Sequence, residues 1–166
     1  MTLTATAWLG LQFNLATAAD LHAGRFRRGR PTGIEFENGT GDDQVNAVFD
    51  DQRTLAASGN EDLDLYGGLT DPAGNTLNFA TIKGIHVRAA TANGANIVIG
   101  GAASNQFSPF LGGTSQTIVL PAGAGVILVH PKAGWSVTDS SADLLRIANS
   151  DSGDPATYDI SILGTV

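Results

Sequence analysis

The sequence predicts an all-β protein, and three observations carry that prediction. Short apolar or alternating runs recur between clusters of Gly, Pro, Asp and Asn, the punctuation of a sandwich or barrel built from short strands. Glycine occupies 21 of the 166 positions while aromatic residues make up only 7%, which suits a turn-rich chain. No stretch sustains three turns of helical periodicity. Leu144-Leu145-Arg146-Ile147 could form one helical turn, but it is bounded too closely to be more.

The stretch Leu77–Gly101 organises the rest. In Phe79–Ala89, Ile85 and Val87 fall on one face, and Gly84, His86 and Arg88 on the other, the pattern of a half-buried strand. Ala92-Asn93-Gly94 supplies turn chemistry, and Ile97-Val98-Ile99 reads as a short strand buried on both sides. The expectation is two adjacent core strands with a sandwich wrapped around them.

Taken in order, the chain opens with Thr2, Thr4 and Thr6, then Leu11, Phe13 and Leu15, each set alternating with its neighbours. Leu15-Ala16-Thr17-Ala18 resembles a cleavage site, but no positive charge precedes Arg25 and polar residues break the apolar run. Strands are therefore expected here instead of a signal peptide. Asp20–Gln44 is the least regular part: Arg25–Arg30 holds four of the nine basic residues, Pro31 and Gly33 follow, and Ile34-Glu35-Phe36-Glu37 alternates. An extended arm with a basic knot and an acidic strip is expected. Further strands are expected at Val45–Phe49, Arg53–Ala57, Asp62–Tyr66, Asn78–Ala89, Asn96–Ile99, Thr117–Leu120, Gly125–His130, Trp135–Thr138, Asp143–Ala148 and Thr157–Leu163. The expected organisation is an N-terminal strand-and-arm segment over 1–44 and one sandwich domain over 45–166.

Charged residues form 15% of the chain, against about 25% in an average domain. So sparse a charge pattern on a Gly/Ala/Thr-rich surface suits partial covering by other proteins. The net charge of −7 opposes non-specific attraction to nucleic acid or an anionic membrane, and no apolar run reaches about 18 residues. Without cysteine there is neither a disulfide nor a thiolate metal site.

Arg25, Arg27, Arg28 and Arg30 are the strongest local charge signal. Guanidinium forks pair bidentately with carboxylates, so the group reads as a docking element for an acidic partner. Contact with phosphate, or with this chain's own sixteen carboxylates, are the other readings. A single aromatic, Phe26, offers little stacking surface for bases. Asp42, Asp43, Asp50, Asp51, Glu61, Asp62 and Asp64 could collect calcium, yet they lack the ordered spacing of a calcium loop, and Asp62 and Asp64 alternate outward against Leu63 and Leu65. His22, His86 and His130 have no metal-ligand spacing. There is no nucleophile elbow, Gly134-Trp135-Ser136-Val137-Thr138 failing to complete one, and no phosphate-binding glycine loop. No catalytic, cofactor or metal residue is expected. Trp8, Trp135 and Tyr158 could line a sugar platform, or could be packing residues.

Arg53-Thr54-Leu55-Ala56-Ala57, Glu61-Asp62-Leu63-Asp64-Leu65, Leu69-Thr70-Asp71-Pro72-Ala73-Gly74, Ile82-Lys83-Gly84-Ile85, Gly100-Gly101-Ala102, Ala142–Asn149 and Thr157-Tyr158-Asp159-Ile160 together resemble small β-rich virion proteins of tailed bacteriophages and prophages. The likeness spans roughly 45–166 and consists of structural phrases, not a chemical motif. Pro121-Ala122-Gly123 departs from the Pro-Gly-Gly usual there, with one turn glycine kept. The resemblance implies a jelly-roll-like antiparallel β-sandwich used as a non-enzymatic capsid cement or decoration protein. It further implies the major capsid protein and further copies of the chain, as a homotrimer, for partners. The implied location is the capsid exterior, after assembly in the host cytoplasm. A carbohydrate-binding or host-attachment module, or a tail, fibre or collar component, is the alternative expectation. The four arginines lie outside the resemblance.

Overall fold

The computed structural model describes residues 2–18, 23–29 and 32–166, and within 13–18 and 23–28 it describes the backbone alone. Sixteen strands are present among these residues, and no helix. They are β1 Ala5–Leu9, β2 Gln12–Ala18, β3 Ala23–Gly29, β4 Thr32–Asn38, β5 Gln44–Val45 and β6 Ala47–Leu55. Next come β7 Asn60–Asp64, β8 Tyr66–Thr70, β9 Thr76–Asn78, β10 Thr81–Ala89 and β11 Ile97–Ile99. The last are β12 Ile118–Leu120, β13 Gly125–Val129, β14 Trp135–Ser136, β15 Leu144–Asn149 and β16 Ala156–Thr165.

Two sheets face each other, in the orders β13-β10-β16-β6 and β12-β11-β15-β7, with β14 also on β10. Counting only these eight main strands along the chain, the first sheet runs first-eighth-third-sixth and the second runs second-seventh-fourth-fifth. That is the order produced by wrapping one long hairpin into a jelly roll. Each sheet buries every other residue: Ile85, Val87, Tyr158, Ile160 and Ile162 from the first meet Leu63, Ile97, Ile99, Leu145 and Ile147 from the second. The short connections 56–59, 90–96, 121–124 and 150–155 gather at one end, and the longer 65–80, 100–117 and 130–143 at the other.

Several expectations change. The strands expected to be adjacent, β10 and β11, lie in opposite sheets, because the 90–96 turn crosses from one to the other. Val98 is half-buried, so β11 has one covered face. Val45–Phe49 and Arg53–Ala57 merge into β6, whose exposed Asp50-Asp51-Gln52 interrupts the apolar pattern without breaking the strand. Asp62–Tyr66 divides at Leu65, and the following β8–β9 hairpin was not anticipated. Leu144–Ile147 is strand, not a helical turn.

A third layer covers part of the first sheet's outer face. β1 pairs antiparallel with β4, and β4 pairs in parallel with β5. Their apolar residues Ala7, Ile34, Phe36 and Val45 pack with Ile127, Val129 and Leu163 of that sheet.

A β-bulge joins the layers. The register of β10 on β16 shifts between Ile82 and Gly84, so Lys83 is the extra residue. Ile82 and Ile85, three apart, are thereby both buried, and Lys83 leaves the core-facing series. At the same place β16 approaches closely. A methyl group on Gly164 would collide with the Thr81 carbonyl oxygen and come within 2.8 Å of the Phe79 ring. Gly164→Ala is expected to cost about 1–3 kcal/mol, the range for overpacking a close-packed site, read as a lower urea midpoint with unchanged slope.

Candidate docking interface

The basic segment lies on a β-ribbon. Leu9 opposes Thr32 in β1–β4, and Gln12 opposes Gly29 in β2–β3. Three residues forward on one strand match three back on the other, so the two halves have the same register on either side of 30–31. Seven residues per strand extend the distal half by about 23 Å at a strand's rise. β2 and β3 pair with each other and with no other described strand.

Arg25, Arg27 and Arg28 sit on β3, opposite Ala16, Asn14 and Phe13, and Phe26 stands opposite Leu15. Arg30 lies outside the described residues, as does His22. Where the sequence suggested an irregular arm, the described residues of β2 and β3 form a regular antiparallel pair. Gly29 ends β3, and Gly33 lies in the stretch of β4 that pairs with β1 alone, β5 joining β4 only at Glu37 and Asn38.

The ribbon's root is held by a buried ammonium. Lys83 is 2% exposed, and its Nζ donates to the Gly41 carbonyl and, at 3.5 Å, to that of Pro131. Asp43 N–H donates to the Pro131 carbonyl at 2.8 Å, and Lys132 pairs with the Asp43 carboxylate, which raises the ammonium above its usual range. The turn after β4 is thus fastened to the 130–134 loop.

Exposed apolar groups cluster where the two ribbon halves meet. Trp8 is 67% exposed and Leu11 79%. Trp8 lies over Gly33, where an added Cβ would come within 3.2 Å of its ring. Leu11 was not singled out from the sequence. Its alternation with Phe13 and Leu15 indicated a strand, and nothing local reveals that the body ends there.

The seven carboxylates weighed for calcium disperse. Asp51 and Glu61 share Arg53, at 3.0 and 2.6 Å, and Asp62 takes both Nε and Nη2 of Arg146 at 2.7 and 2.8 Å. Asp43 meets Lys132, Asp64 accepts from the Tyr66 amide, and Asp50 accepts from the Ser161 hydroxyl. Among the described residues no three groups converge as metal ligands. His86 is half-buried on the first sheet's outer face, while His130 stacks edge-on with Trp135 at 5.5 Å.

The three rings considered as a sugar platform do not form one. Tyr158 is fully buried in the sandwich core, and Trp135 is half-buried in a chain of rings through Phe110 to Phe107. Trp8 belongs to the outer layer. Tyr158 has a structural task instead: its hydroxyl donates to Glu61 Oε1 at 2.5 Å, and Glu61 is also bound by Arg53. Burial, then the bond to Glu61, holds the phenol far above its ordinary 10.0. A raised folded-state value means stability is complete below about pH 10 and declines as pH rises beyond it, because only the unfolded chain then releases the proton. Tyr158→Phe is expected to lower stability by about 1–2 kcal/mol at neutral pH. Urea titrations at about pH 8 and pH 11 should also show the variant losing about 1 kcal/mol less than wild type across that interval.

No protein-family model matches this chain, and no curated protein matches it either.

Proposed function

We propose that this chain is a non-enzymatic virion protein that decorates and stabilises a bacteriophage capsid, sitting as a homotrimer on the outer surface of the major capsid lattice. One observation carries the reading: an acidic jelly roll extended by a regular basic β-ribbon. Jelly rolls serve capsids, lectins and enzymes alike, so the fold class alone does not select among them. The phage assignment comes from the residue phrases in 45–166. The ribbon supplies the physical means, since arginine-bearing arms reach a neighbouring chain and many weak contacts repeated over a shell add by avidity.

The body's chemistry is compatible with a passive role. Many of its carboxylates are engaged in ion pairs, turns and cross-strand bonds. The assembly route this implies is folding in the host cytoplasm, followed by addition to the exterior of the capsid.

Particles lacking the protein should take up many copies at saturation and resist heat better afterwards. Uptake of only a few copies would replace the lattice role with a tail, collar or fibre role. Replacing Arg25, Arg27, Arg28 and Arg30 with Ser should leave the sandwich folded, each surface change amounting to at most about 0.5 kcal/mol. Capsid binding should weaken, with a flatter dependence on salt. Undiminished binding at low salt would remove the arginines from the interface.

A further inference from the structure

Most buried polar side chains of the described residues are bonded. Lys83 reaches two carbonyls, and Asn149 Nδ2 donates to the carbonyls of Ala56 and Asp154. Thr165 shares a hydroxyl bond with Thr81, and Tyr158 donates to Glu61. Among the described residues, three buried side-chain polar atoms lack a partner: Gln106 Nε2, Gln106 Oε1 and Asp143 Oδ1. An unmade bond at a buried amide carries the full cost of taking it out of water, so its place in the fold calls for a physical reason.

Both side chains lie at the end where the longer connections gather. Asn105 has a left-handed φ of 49°, and its carbonyl accepts from the Asp143 and Leu144 amides at 3.0 and 2.9 Å. Gln106 thereby forms an isolated parallel bridge with Leu144, which ties the 100–117 connection to the 130–143 connection. Asp143 Oδ2 accepts from the Ser140 amide at 2.9 Å and holds the turn that carries Ser141. Residues of both connections enclose a cavity of about 340 Å³, with Ser104, Asn105, Gln106, Thr114 and Ser141 among its walls. Gln106 is 8% exposed, whereas Ser104, Thr114 and Ser141 are exposed at the rim. The lining is Ala, Ser, Asn, Gln and Thr, polar and uncharged.

The amide selects the chemistry of its ligand, because it has both donors and an acceptor to satisfy. A metal cation would leave Nε2 without an acceptor, and a sulfate-like anion would leave Oε1 without a donor. A hydroxyl group serves both. The cavity's volume is at the lower end of the roughly 300–1,000 Å³ of small-molecule pockets, the scale of one sugar ring. We propose that this cavity binds a neutral polyhydroxylated ligand, whose adjacent hydroxyls meet the Gln106 amide and the rim hydroxyls of Ser104, Thr114 and Ser141. The Gln106 side chain turns on binding, away from Gly100, where Nε2 stands 3.5 Å from the position a Cβ would take. The broad terminal torsion of Gln permits that turn. The site depends neither on the ribbon nor on the decoration role.

Ligand-observed NMR and calorimetry on the full chain test this, with methyl glycosides of glucose, galactose, mannose and N-acetylglucosamine, sorbitol, and calcium chloride as probes. At least one glycoside or sorbitol should bind with a Kd of about 1 mM, the scale of a ligand of a dozen heavy atoms. Binding of a glycoside supports a glycan end as the source, and binding of sorbitol alone supports a free polyol. Gln106→Leu should weaken binding at least tenfold and, having lost an unmade buried amide, should melt at or above the wild-type temperature. If it melts lower, packing has changed and S104A/T114A/S141A decides, with the same tenfold loss expected. The inference is overturned if no polyol binds at about 50 mM, or if calcium alone binds. Undiminished binding by the deciding variant overturns it equally.

Discussion

The arrangement of the layers turns on one buried lysine. An ammonium removed from water costs several kcal/mol unless its protons are taken up, and Lys83 has carbonyl acceptors rather than a carboxylate. Those acceptors, Gly41 and Pro131, belong to two different loops. The ammonium therefore remains satisfied only while the turn after β4 and the turn after β13 are held together over β10. The bulge makes this possible: without the extra residue, Lys83 would alternate into the core with Ile85 and Val87. A local register fault thus fastens the outer layer, and through β4 it sets where the ribbon begins.

Charge follows the same division of labour. In the body, guanidinium groups are used internally: Arg53 bridges β6 to β7 through Glu61, and Arg146 bridges β15 to β7 through a forked contact with Asp62. These ties lie on half-exposed surfaces, so each is worth at most about 1 kcal/mol. Their larger effect is to leave the body's exterior acidic. The four arginines of 25–30 stand against a single acidic residue, Asp20, within 12–31, so the chain's basic charge is concentrated in that segment and its acidic charge in the rest.

Strand positions were legible because apolar alternation and turn residues act locally. Ile85 and Val87 inward with His86 and Arg88 outward could be read from spacing, and so could Asp62 against Leu63. The assignment of strands to sheets was not legible in the residues, because it depends on whether a turn keeps or changes sheet, and Ala92-Asn93-Gly94 looks alike in either case. Plain alternation would set Phe79, Thr81, Lys83 and Ile85 on one face despite their mixed character, and the bulge at Lys83 resolves this by changing the phase between Ile82 and Gly84. The hairpin of β8 and β9 escaped notice since Gly67 and Gly68 dilute its apolar signal to Leu69 and Leu77. For the candidate interface, the charge of Arg25–Arg30 was plain. Its regular backbone pairing was hidden by the glycines.

A two-stranded ribbon is marginal by itself, because neither face has a sheet or helix to bury against. Natural proteins usually avoid leaving long edges of this kind without cover, since unpaired amides and carbonyls invite another strand. Here the proximal half of the ribbon obeys that rule and lies on the sandwich through Ala7, Ile34 and Phe36. The distal half keeps the same register while leaving described body strands unpaired with it. Three arginines and an apolar cross-strand pair on that half would contribute little to the stability of the chain that carries them.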